Sequence, residues 1–154
     1  MKKVRIQDLA AGLINGVEVQ LPKSTEVYKE TYFEWAASSL VVKVNTTDIS
    51  GGILRSWHHT PVFREIETHI DIEMFYFISG VALMLFIDIK EGSLDMESAQ
   101  LVRIQPGSQI TISAGKGHFV PVAENSEPVY AIVIAPKMDA PRMCLPLPIE
   151  GTIV

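Results

Sequence analysis

"ETHIDIEMFYFISG", residues 67–80, is the stretch on which the fold turns. Its second half, "EMFYFIS" (73–79), is aromatic and ends at Ser79-Gly80, which reads as a strand running into a tight turn. In the first half Glu65, Glu67 and His69 share strand parity and fall on one face, with Ile66 and Ile70 on the other. Two carboxylates and an imidazole beside strongly apolar neighbours either face solvent or line a polar cavity. Phe75 and Phe77 share parity with Glu73 and wall that cavity or fill the core. Tyr76 has the opposite parity and is expected to pack outward.

The same grammar continues on both sides. "SLVVKVNTT" (39–47) is rich in β-branched residues and predicts a strand, with "DISGG" (48–52) as a turn. "ILRSWHH" and "FREIETHI" follow as strands split at Thr60-Pro61. "VALMLFIDI" (81–89) is expected to pair with 73–79 as a hairpin, and "KEGSLDMESAQ" (90–100) is a polar excursion. "LVRIQ", "SQITIS", "HFVPVA" and "VYAIVIAP" complete the series, punctuated by Pro106-Gly107 and "AGKG". Short strands at regular spacing with Gly/Pro breaks predict an all-β sandwich or barrel. Before residue 39 the signal is weaker. "IQDLAAGLING" (6–16) predicts a short helix capped by Asp8 and closed by Gly16, with strands at "VEVQL" (17–21) and "EVYKETYFEWA" (26–36).

At 154 residues the chain is expected to form a single domain, with a core barrel at about 39–136. The tail 137–154, which holds Pro141, Pro146 and Pro148, is expected to run extended over the surface, toward a partner subunit. A net charge of −5 without a basic cluster argues against nucleic acid and anionic membranes as partners. The apolar run at 81–87 is far shorter than a membrane helix, no signal peptide is visible, and a cytoplasmic protein is expected. The single cysteine, Cys144, excludes an intrachain disulfide framework and is expected to be a packed apolar thiol. Neither a phosphate-binding loop nor a nucleophile elbow is present; "GKGH" is too short for the former.

The spacing of the polar residues is more specific than their parity. The first half reads Glu67-x-His69-x3-Glu73-x6-Gly80, and further on stands Gly107-x5-Ser113-x-Gly115-x2-His118. The two patterns resemble the two motifs of the cupin superfamily, with Glu67 in place of the first His, Ser113 in place of a Pro and Val122 in place of an Asn. The resemblance implies a double-stranded β-helix, or jelly-roll barrel, in which Glu67, His69, Glu73 and His118 enclose one metal ion. Adjacent strands bring side chains within about 5 Å, so such residues can converge on a single cation. Two imidazoles and two carboxylates suit Zn, Mn, Fe, Co or Ni.

Over about residues 50–135 the chain is most similar to the ureidoglycolate lyase family. "ILRSW" with Arg55, "ETH" with Glu67 and His69, and "GKGHFVP" with His118 carry that resemblance, and a Glu at the first ligand position is expected in that branch. It implies cleavage of ureidoglycolate to glyoxylate and urea, with Glu67 or Glu73 as base and His118 or His69 as acid. Arg55 and His59 are then candidate substrate contacts, with Phe75 and Phe77 as walls. Another cupin enzyme, such as a sugar isomerase or a dioxygenase, or a non-enzymatic small-molecule-binding barrel, remains as an alternative. His58 and Arg64 are further candidates beside the substrate, and Lys116 reads as a solvated turn residue. Apolar strands in need of cover predict a homodimer.

Overall fold

The structure, a computed structural model, describes residues 1–152. The strands are β1 (Lys2–Asp8), β2 (Val17–Gln20), β3 (Val27–Lys29), β4 (Glu34–Ala36), β5 (Ile49–Ser56), β6 (Val62–Glu67) and β7 (Glu73–Ser79). After Gly80 follow β8 (Ala82–Lys90), β9 (Ser93–Ile104), β10 (Gln109–Ile112), β11 (Gly117–His118), β12 (Val122–Ala123), β13 (Val129–Pro136) and β14 (Arg142–Thr152). The described chain is all β, as the strand rhythm predicts, and the architecture is the jelly-roll barrel that the family resemblance implies.

One sheet runs β2-β10-β7-β13-β5. The other runs β11-β6-β14-β1-β9-β8-β12, and β11 pairs with β8 as well as with β6, so this sheet closes on itself. β3 and β4 form a separate two-stranded hairpin.

β8 explains the continuous apolar run in the sequence. Ala82 through Ile87 are all buried, because both faces of the strand are covered. Ala82, Met84 and Phe86 join Phe75, Phe77, Ile104 and Ile110 in the core between the sheets. Leu83, Leu85 and Ile87 join Phe63, Ile66, Leu101 and Ile149 in a second core, made by strands of the closed sheet. Each such side chain, fully buried, contributes about 1.5–3 kcal/mol.

Several expectations are corrected. No helix forms at 6–16: Ile6 pairs with Leu101 in a parallel ladder, and the backbone turns at Gly12 and Gly16, both at positive φ. The predicted strand at 26–36 divides into the β3–β4 hairpin. Residues 39–47 form no strand despite their β-branched content, since β propensity yields to tertiary context. Loop contacts hold the segment instead, with Ser39 Oγ donating to Gln20 Oε1 at 2.9 Å and the Asn45 amide to Asp71 at 2.8 Å. "DISGG" is not a free turn, since β5 begins at Ile49 and pairs with β13.

Residues 73–79 and 81–89 are not a hairpin. Gly80 passes the chain from one sheet to the other, with φ 72° and a site where a Cβ would lie 2.5 Å from the Pro128 carbonyl oxygen. The hairpin belongs to β8 and β9, around a two-residue turn at Glu91-Gly92 with both residues at positive φ, as a type I′ turn requires. The polar stretch 90–100 is therefore mostly strand.

The tail is not draped over the surface. β14 lies between β6 and β1, and Ile149 is fully buried. Pro146 and Pro148 fall where the β14–β6 register slips between Cys144 and Ile149, a break that tolerates the missing donors. Cys144 is exposed rather than packed.

Candidate metal centre

Three strands, β6, β7 and β11, and the loop after β6 assemble the polar cluster. Glu67 ends β6, and its register partner across the sheet is His118. On its other side His118 pairs with Phe86. Gly117 must precede it, because a Cβ there would lie 2.7 Å from Ile87 Cγ2. Glu73 opens β7, and strand alternation puts it on the inner side with Phe75 and Phe77. His69 does not belong to a strand, as its parity suggested. It sits in the loop after β6, where its carbonyl accepts from the Gly115 amide at 2.8 Å.

Glu67, His69 and His118 offer ligand atoms that all lie within 4.8 Å of one another. Glu73 Oε2 adds the second carboxylate, 3.0 Å from His118 Nε2 and 3.4 Å from His69 Nε2. Glu67 Oε1 is 3.9 Å from His118 Nε2. The side chains are 1% exposed for His118, 8% for His69, 11% for Glu73 and 16% for Glu67.

Hydrogen bonding fixes the tautomers. His118 Nδ1 lies 3.1 Å from the Lys116 carbonyl and His69 Nδ1 lies 3.3 Å from the Asp139 carbonyl. A carbonyl only accepts, so each Nδ1 carries the hydrogen and a neutral ring has its lone pair at Nε2. Two imidazole lone pairs and the Glu67 carboxylate therefore converge, with the Glu73 carboxylate beside both rings. That convergence is satisfied only by a cation, either protons on the rings or a metal ion. His69 Nε2 is buried and meets the Glu73 carboxylate only at the long distance of 3.4 Å, which shows the shortfall directly.

The electrostatics agree. Burial pushes the Glu73 carboxyl up, but hydrogen bonds from His118 and His69 and their charges outweigh it, holding the group down to about 2. The hydrogen bond to Glu73 raises His69 above its ordinary range against the opposing effect of burial. The negative charge that raises His69 is the same charge that would attract a divalent ion. The donor set suits Zn, Mn, Fe, Co or Ni, with Glu67, His69 and His118 as the compact triad and Glu73 as the fourth group.

The other expected residues divide. Phe75 packs edge-on against His118, with centroids 6.4 Å apart, and Phe77 stacks on Phe75 at 5.9 Å as part of the core. Arg55 and His59 are not at the cluster. They line a cleft of about 610 Å3 that none of the four polar residues borders. Arg64 lines it too, whereas His58 is bound through Nδ1 to the Ala123 carbonyl at 2.9 Å. Lys116 is not the solvated turn residue that the sequence suggests. It is buried, and its Nζ meets Asp88 Oδ1 at 2.5 Å while its carbonyl orients His118. The available signal was parity, since Lys116 and His118 flank Gly117 in one short strand and turn.

No protein-family model matches the chain, and no curated protein matches it. Among solved structures the chain is similar to oxalate decarboxylase from Bacillus subtilis. One such structure was used to assign the EPR parameters of that enzyme's Mn(II) centres, and another was determined at pH 4.6. Each is 21% identical over 64% of this chain and 24% of that chain, with a TM-score of 0.46. The chain thus spans about a quarter of the length of these structures.

Proposed function

We propose that the protein is a divalent-metal enzyme acting on a small hydroxy or oxo acid, with cleavage of ureidoglycolate to glyoxylate and urea as its specific reaction. One observation carries the metal part: two imidazoles, each anchored through Nδ1 to a backbone carbonyl, aim Nε2 at two carboxylates in a buried cluster. Glu67, His69 and His118 would hold the ion, which would supply positive charge beside the oxygens of the hydroxy acid. Glu73 is then the group free to move a proton. It takes the hydroxyl proton as the carbon–oxygen bond becomes a carbonyl, the carbon–nitrogen pair leaves with urea, and the proton returns to that nitrogen. The resemblance of "ILRSW", "ETH" and "GKGHFVP" to the ureidoglycolate lyase family supports the choice of substrate.

The test is elemental analysis of purified protein beside His118→Ala, followed by a glyoxylate assay. Near-stoichiometric metal that vanishes in His118→Ala, and Glu73→Gln that keeps its metal but loses about 100-fold or more in glyoxylate release, is the expected result. Absence of metal after supplementation would refute the centre. Metal without glyoxylate release would refute only the substrate. A second reading, a metal-bearing barrel that binds a small molecule without transforming it, is favoured by the low exposure of all four side chains. It predicts ligand affinity that Glu73→Gln leaves intact.

We also infer a homodimer. The outer face of the β2-β10-β7-β13-β5 sheet leaves Ile53, Ile78 and Ile132 exposed, with Ile53 and Ile132 paired across β5 and β13.

A further inference from the structure

The cleft of about 610 Å3 beside the barrel has a chemistry of its own. Phe63, Val122 and Phe119 give it apolar walls. Arg55 and Arg64 also line it, and among the described residues neither guanidinium has an ion-pair partner. Glu65, the acid in the wall, is already neutralised by Arg142 at 2.8 Å. On a chain of net charge −5 this leaves a local surplus of positive charge. Arg55 is held in place by aromatic faces, with its guanidinium carbon 5.2 Å from the Trp57 centroid and 5.1 Å from that of Tyr130. Ser56, also in the wall, is 8% exposed, and its buried hydroxyl has no hydrogen-bond partner. A buried hydroxyl left unpaired costs free energy that an acceptor would recover.

We propose that this cleft is a binding site for a small apolar carboxylate, an aryl- or alkyl-substituted acid, separate from the metal centre. The hydrocarbon part lies against Phe63 and Phe119, and the carboxylate accepts from Arg55, Arg64 and Ser56. This does not rest on the metal-enzyme reading, because the residues differ.

The position of Cys144 supplies the reporter. It lines the cleft, it is exposed, and it is the chain's single cysteine, so alkylation by iodoacetamide reads one place. Titration of the full chain by calorimetry with 3-phenylpropionate, its neutral amide and acetate tests both halves of the proposal. The acid is expected to bind at least about tenfold more tightly than the amide and than acetate, and to slow Cys144 alkylation at saturation. Arg55→Gln and Arg64→Gln should each weaken the acid about tenfold while leaving the amide unchanged, a difference that misfolding would not produce. Binding should persist in excess EDTA. Equal affinity for acid and amide, unprotected Cys144, or binding lost with EDTA would overturn the proposal, the last by placing the acid at the metal centre.

Discussion

Glu73 keeps its charge in a setting where burial alone would remove it. Its folded value of about 2 lies below the ordinary 4.5, so the stability it contributes is present above 4.5 and is lost as pH falls toward 2. A shift of this size is worth about 3 kcal/mol. His69 has the opposite sign. Raised from 6.5, it contributes fully below that value and loses the contribution as pH rises through its folded value. The thermal midpoint of the protein in EDTA should therefore be highest between about pH 4.5 and 6.5, and Glu73→Gln should flatten the acid limb. A scan of midpoint against pH checks both; an acid limb unchanged in Glu73→Gln would contradict the hydrogen-bond account. At the same scale, Lys116→Met removes a buried partner from Asp88, which is itself partly exposed. A loss of about 1–3 kcal/mol in urea denaturation is expected, below the cost for a fully buried pair. Glu67, Glu73 and His118 were legible as a set because motif intervals are counted along the chain. The separation of Arg55 and His59 from that set was not, because it depends on how β5 and its following loop leave the sheet.

Among the elements, β7 and β13 were legible to the residue or nearly so, because each is an uninterrupted β-rich run bounded by turn residues. Pairing was not legible. "EMFYFIS" and "VALMLFIDI" flank a tight turn and look like two arms of a hairpin, yet the Gly80 turn sends them to different sheets. Position 80 is therefore sensitive for two reasons, its left-handed backbone and the Pro128 carbonyl within 2.5 Å of any Cβ. Gly80→Ala should cost about 1–3 kcal/mol, more than an ordinary surface substitution. Chemical denaturation beside the surface variant Gly92→Ala, which has φ 77° but open space around it, isolates the steric part. Equal losses in the two variants would mean that backbone strain alone matters. β14 was hidden by its prolines, which signal an irregular segment unless the register slip that accommodates them is known.

At the level of the molecule, two cores share β8, and a two-residue strand, β11, closes the second sheet while presenting His118 to the first core. The barrel class was legible from the rhythm of strands and breaks; the ring was not, because it requires β1 and β14 to pair from opposite ends of the sequence. Exposed Ile53, Ile78 and Ile132 predict a molar mass by light scattering of twice 17.0 kDa, and Ile53→Glu should return it to one chain. A single-chain mass for the unaltered protein would dispose of the dimer.

The pairing of β1 with β14 also sets an order of events in time. Lys2 through Arg5 lie beside Ile149 through Thr152, and Thr152 Oγ1 donates to the Val4 carbonyl at 3.4 Å, 148 positions away. During synthesis β1 must wait for β14. Until residues 142–152 emerge, Ile66, Leu85 and Leu101 have no finished ring to enclose them, and loop closure over nearly the whole chain must precede their burial. The second core is thus the last part of the fold to be sealed, because its ring is complete only when β14 has taken its place between β6 and β1.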